Sequence, residues 1–295
     1  MIRRILGSAA PLLALSSLAS RVLGLIRDKL FAYHYGTGAG TAIHDIDTYY
    51  AAFRLPDMIF QLLVLGTISA AFVPIFSEYY YREKREDAWK FFNTCLGNIS
   101  VLILGISILG MVLAPWIVPL MVPGFSGEKL ETTIHLTRIM LLSPIFFFIS
   151  SLLQSTGNAI KKYQHIALAP IGYNLAIIIP TLFFSETYGV VAISYGVVIG
   201  ALLHAVIQLP TLRNIGYQFR VIIDTTQKDF KEFIQLAIPR IFTIGITQFN
   251  LLTSTIIAST LTAGSLSIFN YATNIQSLPL GLVGVSISIV AFGIF

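Results

Sequence analysis

Eight mostly apolar stretches of membrane-spanning length follow one another along this 295-residue chain. They run roughly over residues 5–33, 47–76, 88–120, 132–158, 166–185, 188–212, 233–262 and 265–295, and a helix needs about 20 such residues to cross a bilayer. None alternates apolar and polar residues as a barrel strand does. The chain is 55% hydrophobic and 11% charged, against about 25% charged in soluble domains. The expected class is an all-α polytopic membrane protein with about eight spans.

The connections set an orientation. Arg3 and Arg4, then Arg82, Lys84, Arg85 and Lys90, then Lys161 and Lys162, then Arg213, Arg220, Lys228 and Lys231 fall on one side; the opposite loops hold Lys129 alone. Cytoplasmic loops carry the excess of Lys and Arg, so the N-terminus is expected inside. The basic start is followed by an apolar run too long for a cleavable leader. The longest polar connection is 213–231, a short segment expected to lie along the inner surface. It divides the chain into 1–212, a connector 213–231, and 232–295.

Charges inside the spans are costly, about 2.5 to 3.5 kcal/mol each at a helix centre, and usually mark a path for a polar solute. The first stretch contains Ser20-Arg21-Val22-Leu23-Gly24-Leu25-Ile26-Arg27-Asp28, followed by Lys29. At helical spacing Arg21 and Asp28 share a face with Ser17 and Gly24, while Arg27 lies about 120° away with Ser20. The competing reading is that Arg27, Asp28 and Lys29 sit at the outer interface and snorkel. In the second stretch Asp47, Tyr50, Arg54, Asp57 and Gln61 recur every three or four residues, a polar stripe interrupted by Pro56, which offers no N–H. Arg54 has three candidate partners: Asp57, Asp47 and Asp28. A structural ion-pair network is the plainer alternative. Counted together, Arg21, Arg27, Lys29, Arg54 and Arg240 outnumber Asp28, Asp47 and Asp57. Surplus positive charge favours an anion, and arginine forks match phosphate oxygens.

Later stretches add Pro170 and Asn174, Pro239, Arg240, Thr247, Gln248 and Asn250, then Asn270, Thr273, Asn274, Gln276 and Pro279. Cavity lining is one reading, with Pro56, Pro170 and Pro279 as hinges; interhelical hydrogen bonding is the other. Tyr50-Ala51-Ala52-Phe53-Arg54-Leu55-Pro56 is weakly echoed by Tyr271 to Pro279, and Ala71-Phe72 by Ala291-Phe292. Internal repeats of this kind are common in transporters.

Other motifs carry less. Gly36-Thr37-Gly38-Ala39-Gly40 lacks the strand–turn–helix setting of a phosphate loop, and the sequon Asn98-Ile99-Ser100 falls inside a span. His34, His44, His135, His165 and His204 show no metal-ligand spacing and are expected mostly at helix ends. Cys95 is alone, so no disulfide forms within the chain. No nucleophile–base pair points to an enzyme, no cofactor or metal is expected, and the scattered basic residues do not suggest nucleic acid.

The block Ser20-Arg21-Val22-Leu23-Gly24 to Arg27-Asp28, then Asp47 to Ala52-Phe53-Arg54-Leu55-Pro56, then Ser69-Ala70-Ala71-Phe72-Val73-Pro74 resembles the MurJ (MviN) lipid II flippases. The likeness runs on through Ala169-Pro170 with Asn174, Gln208-Leu209-Pro210 with Gly216, and Ala258-Ser259 to Leu278-Pro279. It implies a MATE-like fold of two six-helix lobes about a central cavity, here a first lobe plus the first two helices of a second, as in a truncated reading frame. It implies a place in the bacterial cytoplasmic membrane and a substrate, lipid II, the undecaprenyl-pyrophosphate-linked disaccharide-pentapeptide, with membrane lipids and other cell-wall synthesis proteins as partners. Arg21 and Arg27 match family positions that hold the pyrophosphate, and Asp47 matches a functional aspartate; Arg54 stands where some relatives have lysine. Asp28, Asn174, Arg240, Gln248 and Asn274 complete the expected substrate-binding set. Phe60, Leu65 and Thr273-Asn274 depart from the family pattern, where an arginine, a glutamate and an Asp-Arg pair are common. The alternatives are an oligosaccharide-lipid or drug exporter of the same superfamily, or a non-transporting scaffold.

Overall fold

A computed structural model describes residues 9–36, 41–65, 68–213 and 215–277. Among these every regular element is helical. In a bilayer a helix satisfies its backbone groups internally. Helix α1 spans Ala9–Tyr35 and stops at Gly36, whose φ of +63° suits a residue without Cβ. Helix α2, Ile46–Ile59, is capped by Asp45, whose side chain accepts from the Asp47 N–H. Pro56 withholds one hydrogen bond inside α2. Just beyond it Phe60–Leu65 and Ile68–Phe72 wind as wider, π-type turns, before α3, Val73–Tyr81. Such turns are rare and gather at functional sites.

Helix α4, Arg85–Met121, is about 55 Å long and overshoots a hydrocarbon core of about 30 Å, so its charged first turns protrude. The expected span 132–158 is found as one segment, 127–159, built of two helices, α5, Gly127–Met140, and α6, Ser143–Ala159, with a turn at Leu141–Leu142. Helices α7, Gln164–Tyr188, and α8, Val190–Val206, follow, then α9, Lys228–Ser259, and a helix over residues 265–277. Five segments among the described residues are long and apolar enough to span: 85–121, 127–159, 164–188, 190–212 and 228–259. The two N-terminal segments, which carry the internal charges, and the last, described only to 277, are not among them.

Helix α7 packs between α1 and α8, α6 lies on α8, and α2 lies on α5. Helix α9 meets α4 and the wide turns of 60–72. The densest core gathers Phe72, Phe76, Phe91, Phe92, Phe148 and Phe233 near the basic loops, and buries Cys95 among them, in a packing role. His204, expected at an interface, is instead bonded to Ser150 between α6 and α8. The connector has no regular secondary structure over 217–224.

Candidate functional site

The intramembrane charges of α1 are drawn together by neighbours far away in sequence. Arg27 donates through Nη2 and Nε to Asp28 Oδ1 at 2.9 and 3.1 Å, and through Nη1 to Asn174 Oδ1 of α7 at 3.4 Å. Its guanidinium lies 5.7 Å from the Phe31 ring. Asn174 is locked by donating to Ser20 Oγ at 3.1 Å and to the Pro170 carbonyl one turn back at 3.0 Å. The other Asp28 oxygen accepts from Asn274 Nδ2 at 2.8 Å. Arg27, Asp28, Asn174 and Asn274 thus form one network over α1, α7 and 265–277. The Asn274 amide meets the carboxylate as a neutral donor.

A second network sits on α2. Arg54 Nη2 donates to Gln248 Oε1 of α9. Arg54 Nη1 lies 3.6 Å from Asp57, which also accepts from Gln61 at 3.3 Å. Of the three carboxylates open to Arg54, the structure selects Asp57, one turn along the same helix. Arg54 Nε is buried and has no hydrogen-bond partner among the described residues.

Asp47 does not join the stripe it shares a face with. It is 2% exposed, and its two oxygens accept the backbone N–H groups of Gly264 and Ser267, each at 2.8 Å. It therefore caps the helix over 265–277 from another helix, where a carboxylate meets both the free N–H groups and the positive end of the dipole. Lys129 at the start of α5 adds a cation, 2.6 Å from Asp45 and 3.5 Å from Asp47. Lys129, Ser20, Gly264 and Ser267 were not expected at a site. Lys129 as the lone basic residue of the outer loops was the one available signal.

Two expected residues stand apart. Arg21 has no polar partner among the described residues and lines a groove of about 310 Å³ with Ser16, Ser17, Ser20 and Gln154. Arg240 is exposed on α9, away from the networks, and is not brought into the cluster. Pro56 and Pro170 lie within α2 and α7; Pro279 lies outside the described residues. No group of three or more His, Cys, Asp or Glu side chains among the described residues is arranged to hold a metal.

A family model described as "Lipid II flippase MurJ" matches residues 37–295. The chain belongs to the MurJ lipid II flippase family. It is 31% identical over 288 residues to a probable lipid II flippase MurJ of Buchnera aphidicola subsp. Acyrthosiphon pisum, covering 96% of this chain and 55% of that protein. It is 29% identical over 280 residues to lipid II flippase MurJ of Burkholderia cenocepacia, covering 92% and 53%. The chain thus spans about half the length of the curated relatives it matches. Among solved structures, a lipid II flippase MurJ in an inward closed conformation superposes with a TM-score of 0.77 at 30% identity, over 95% of this chain and 57% of that one. A MATE multidrug transporter superposes at 0.65 with 17% identity, over 94% and 61%, a likeness of fold alone. The expected MurJ kinship and MATE-like helical architecture both hold.

Proposed function

We propose that this chain serves the flipping of lipid II from the inner to the outer leaflet of the bacterial cytoplasmic membrane by alternating access, with the N-terminus inside. The observation that carries the reading is a seam of exchangeable polar bonds: Asp28 to Asn274, Arg54 to Gln248, and Asp47 to Gly264 and Ser267. These bonds tie α1 and α2 to α9 and the helix after it. They divide 1–212 from 232–295, proposed here as two bundles joined by 213–231 and flexing at Pro56, Pro170 and Pro279.

A diphosphate entering the seam would compete with Asp28 for Arg27 and with Asp57 for Arg54, and Arg21, in its groove between α1, α6 and α7, would hold it on the approach. Arginine forks bind phosphate oxygens in pairs. Freeing Asp28 loosens its bond to Asn274, so substrate capture and opening of the seam are one event. The Asp47 clasp lies at the end away from the basic loops and keeps the outer side shut until then. No bond is made or broken in this step; the polyprenyl tail stays in lipid while the headgroup crosses.

The test is capture of lipid II by the chain in nanodiscs, read by native mass spectrometry against undecaprenol, which lacks the pyrophosphate. Lipid II is retained and undecaprenol is not. Arg21→Ala and Arg27→Ala each lose capture while inserting normally, and lose complementation in cells depleted of their resident flippase. Undiminished capture by both variants would overturn the pyrophosphate site.

A further inference from the structure

Arg138 lies inside the expected stretch 132–158 but joins neither polar network. It stands near the end of α5, exposed, and its Nε donates to the Met111 carbonyl of α4 at 3.0 Å. That carbonyl is one that α4 cannot satisfy by itself. A helical carbonyl accepts from the N–H four residues on; for Met111 that residue is Pro115, inside α4, and proline has no N–H. A helix in lipid carries an internal proline where a neighbouring helix satisfies the freed group. Here α5 does so through Arg138.

The bond uses a single N–H of the guanidinium, which carries five in a planar fork. The others have no partner among the described residues, and Arg138 enters no ion pair there. On the same side of α5, His135 and Glu131 are exposed about 4.5 and 10.5 Å further along the helix; neither forms an ion pair with it. The guanidinium is thus oriented at one edge and open at the other.

Depth identifies the group that meets the open edge. Met111 lies about 32 Å along α4 from Lys90, which stands beside the basic loops, and a hydrocarbon core is about 30 Å thick. The Arg138–Met111 pair therefore sits where the hydrocarbon ends on the side away from those loops. The exposed side of α4 agrees. Leu104, Ile108 and Val112 are exposed apolar residues, and Trp116, 65% exposed, stands about 7.5 Å beyond Met111. Tryptophan gathers at the headgroup level, and an arginine just beneath it extends its charged end to that level. The anion abundant there is a lipid phosphate, whose oxygens a guanidinium fork meets in pairs. We infer that Arg138 is a phosphate-binding site for a membrane lipid in the leaflet away from the basic loops, with its Nε tied to the Met111 carbonyl and its Nη groups offered to the phosphate. The tie sets the plane of the fork and joins the bound lipid to α4 at Pro115.

The experiment labels every arginine Cζ of the full chain and reads its dipolar dephasing by phosphorus in solid-state NMR, in phosphatidylglycerol bilayers with and without lipid II. Arg138→Gln loses one arginine's share of the dephasing. A loss under irradiation of the phosphodiester assigns the site to phospholipid; a loss only under irradiation of the diphosphate assigns it to lipid II. Equal dephasing in parent and variant under both overturns the site. Arg138→Gln also strips the Met111 carbonyl of its donor, so it is made in a Pro115→Ala background as well, where residue 115 supplies the N–H. The melting temperature falls by several degrees on Arg138→Gln in the parent chain and by less than half as much with Pro115→Ala present. Equal falls in the two backgrounds refute the tie that orients the fork.

Discussion

The charged seam and the aromatic core near the basic loops are built on opposite terms. The core holds Phe72, Phe76, Phe91, Phe92, Phe148 and Phe233 with ring stacking at 5.3 to 5.4 Å among the first three. Close packing of that kind has one arrangement and resists change. The seam holds its helices by single bonds to groups that have other partners within reach: Arg54 lies between Gln248 and Asp57, and Arg27 between Asp28 and Asn174. Polar bonds between helices in membranes are worth little on average, about 0.6 kcal/mol, so they can be exchanged. The opening along the seam proposed for this chain would need both.

Substitutions break or sharpen this contrast. Phe72→Ala removes a fully buried ring and should cost about 3–5 kcal/mol, read as lower resistance to unfolding in detergent; a loss below that of any seam variant would reverse the assignment of core and seam. Asp47→Ala comes next, at about 2–3 kcal/mol, since it leaves the Gly264 and Ser267 N–H groups and Lys129 short of an acceptor. Asp47→Asn retains part of the bonding and should fall between. Asn274→Ala removes one donor from Asp28 and should cost about 1 kcal/mol. Arg21→Ala should change stability by no more than about 0.5 kcal/mol yet weaken lipid II capture about tenfold or more, a loss of about 1.4 kcal/mol in binding. Arg240→Ala, on an exposed site without a polar partner among the described residues, should alter neither, and a large loss of capture there would extend the seam along α9.

Much of this was legible before the fold. Helix α1 and the Pro56 interruption both follow from local pattern. Asn174 and Gln248 were expected as polar residues of a site, but their partners were not. The face shared by Arg21 and Asp28 misled, because Asp28 pairs with its chain neighbour Arg27 instead. The stripe from Asp47 to Gln61 misled likewise: Asp47 leaves it for a helix start 217 residues away. The break at Leu141–Leu142 was missed because the apolar run crosses it without a change in hydropathy.

Sequence alone settled which segments are helical and apolar, which charges lie among them, and the kinship those residues carry. These depend on bonds within one segment and on its own transfer into lipid, both short-range terms. Only the tertiary structure decided that Asp47 caps a distant helix, that Arg54 reaches Gln248, that Arg21 has no polar partner among the described residues, and that the connector is bonded to α4 through Asn93 and Asn98. Those outcomes turn on the depth and rotation of each helix, which are set by close approaches such as Gly97 to Ile222 that no single segment encodes.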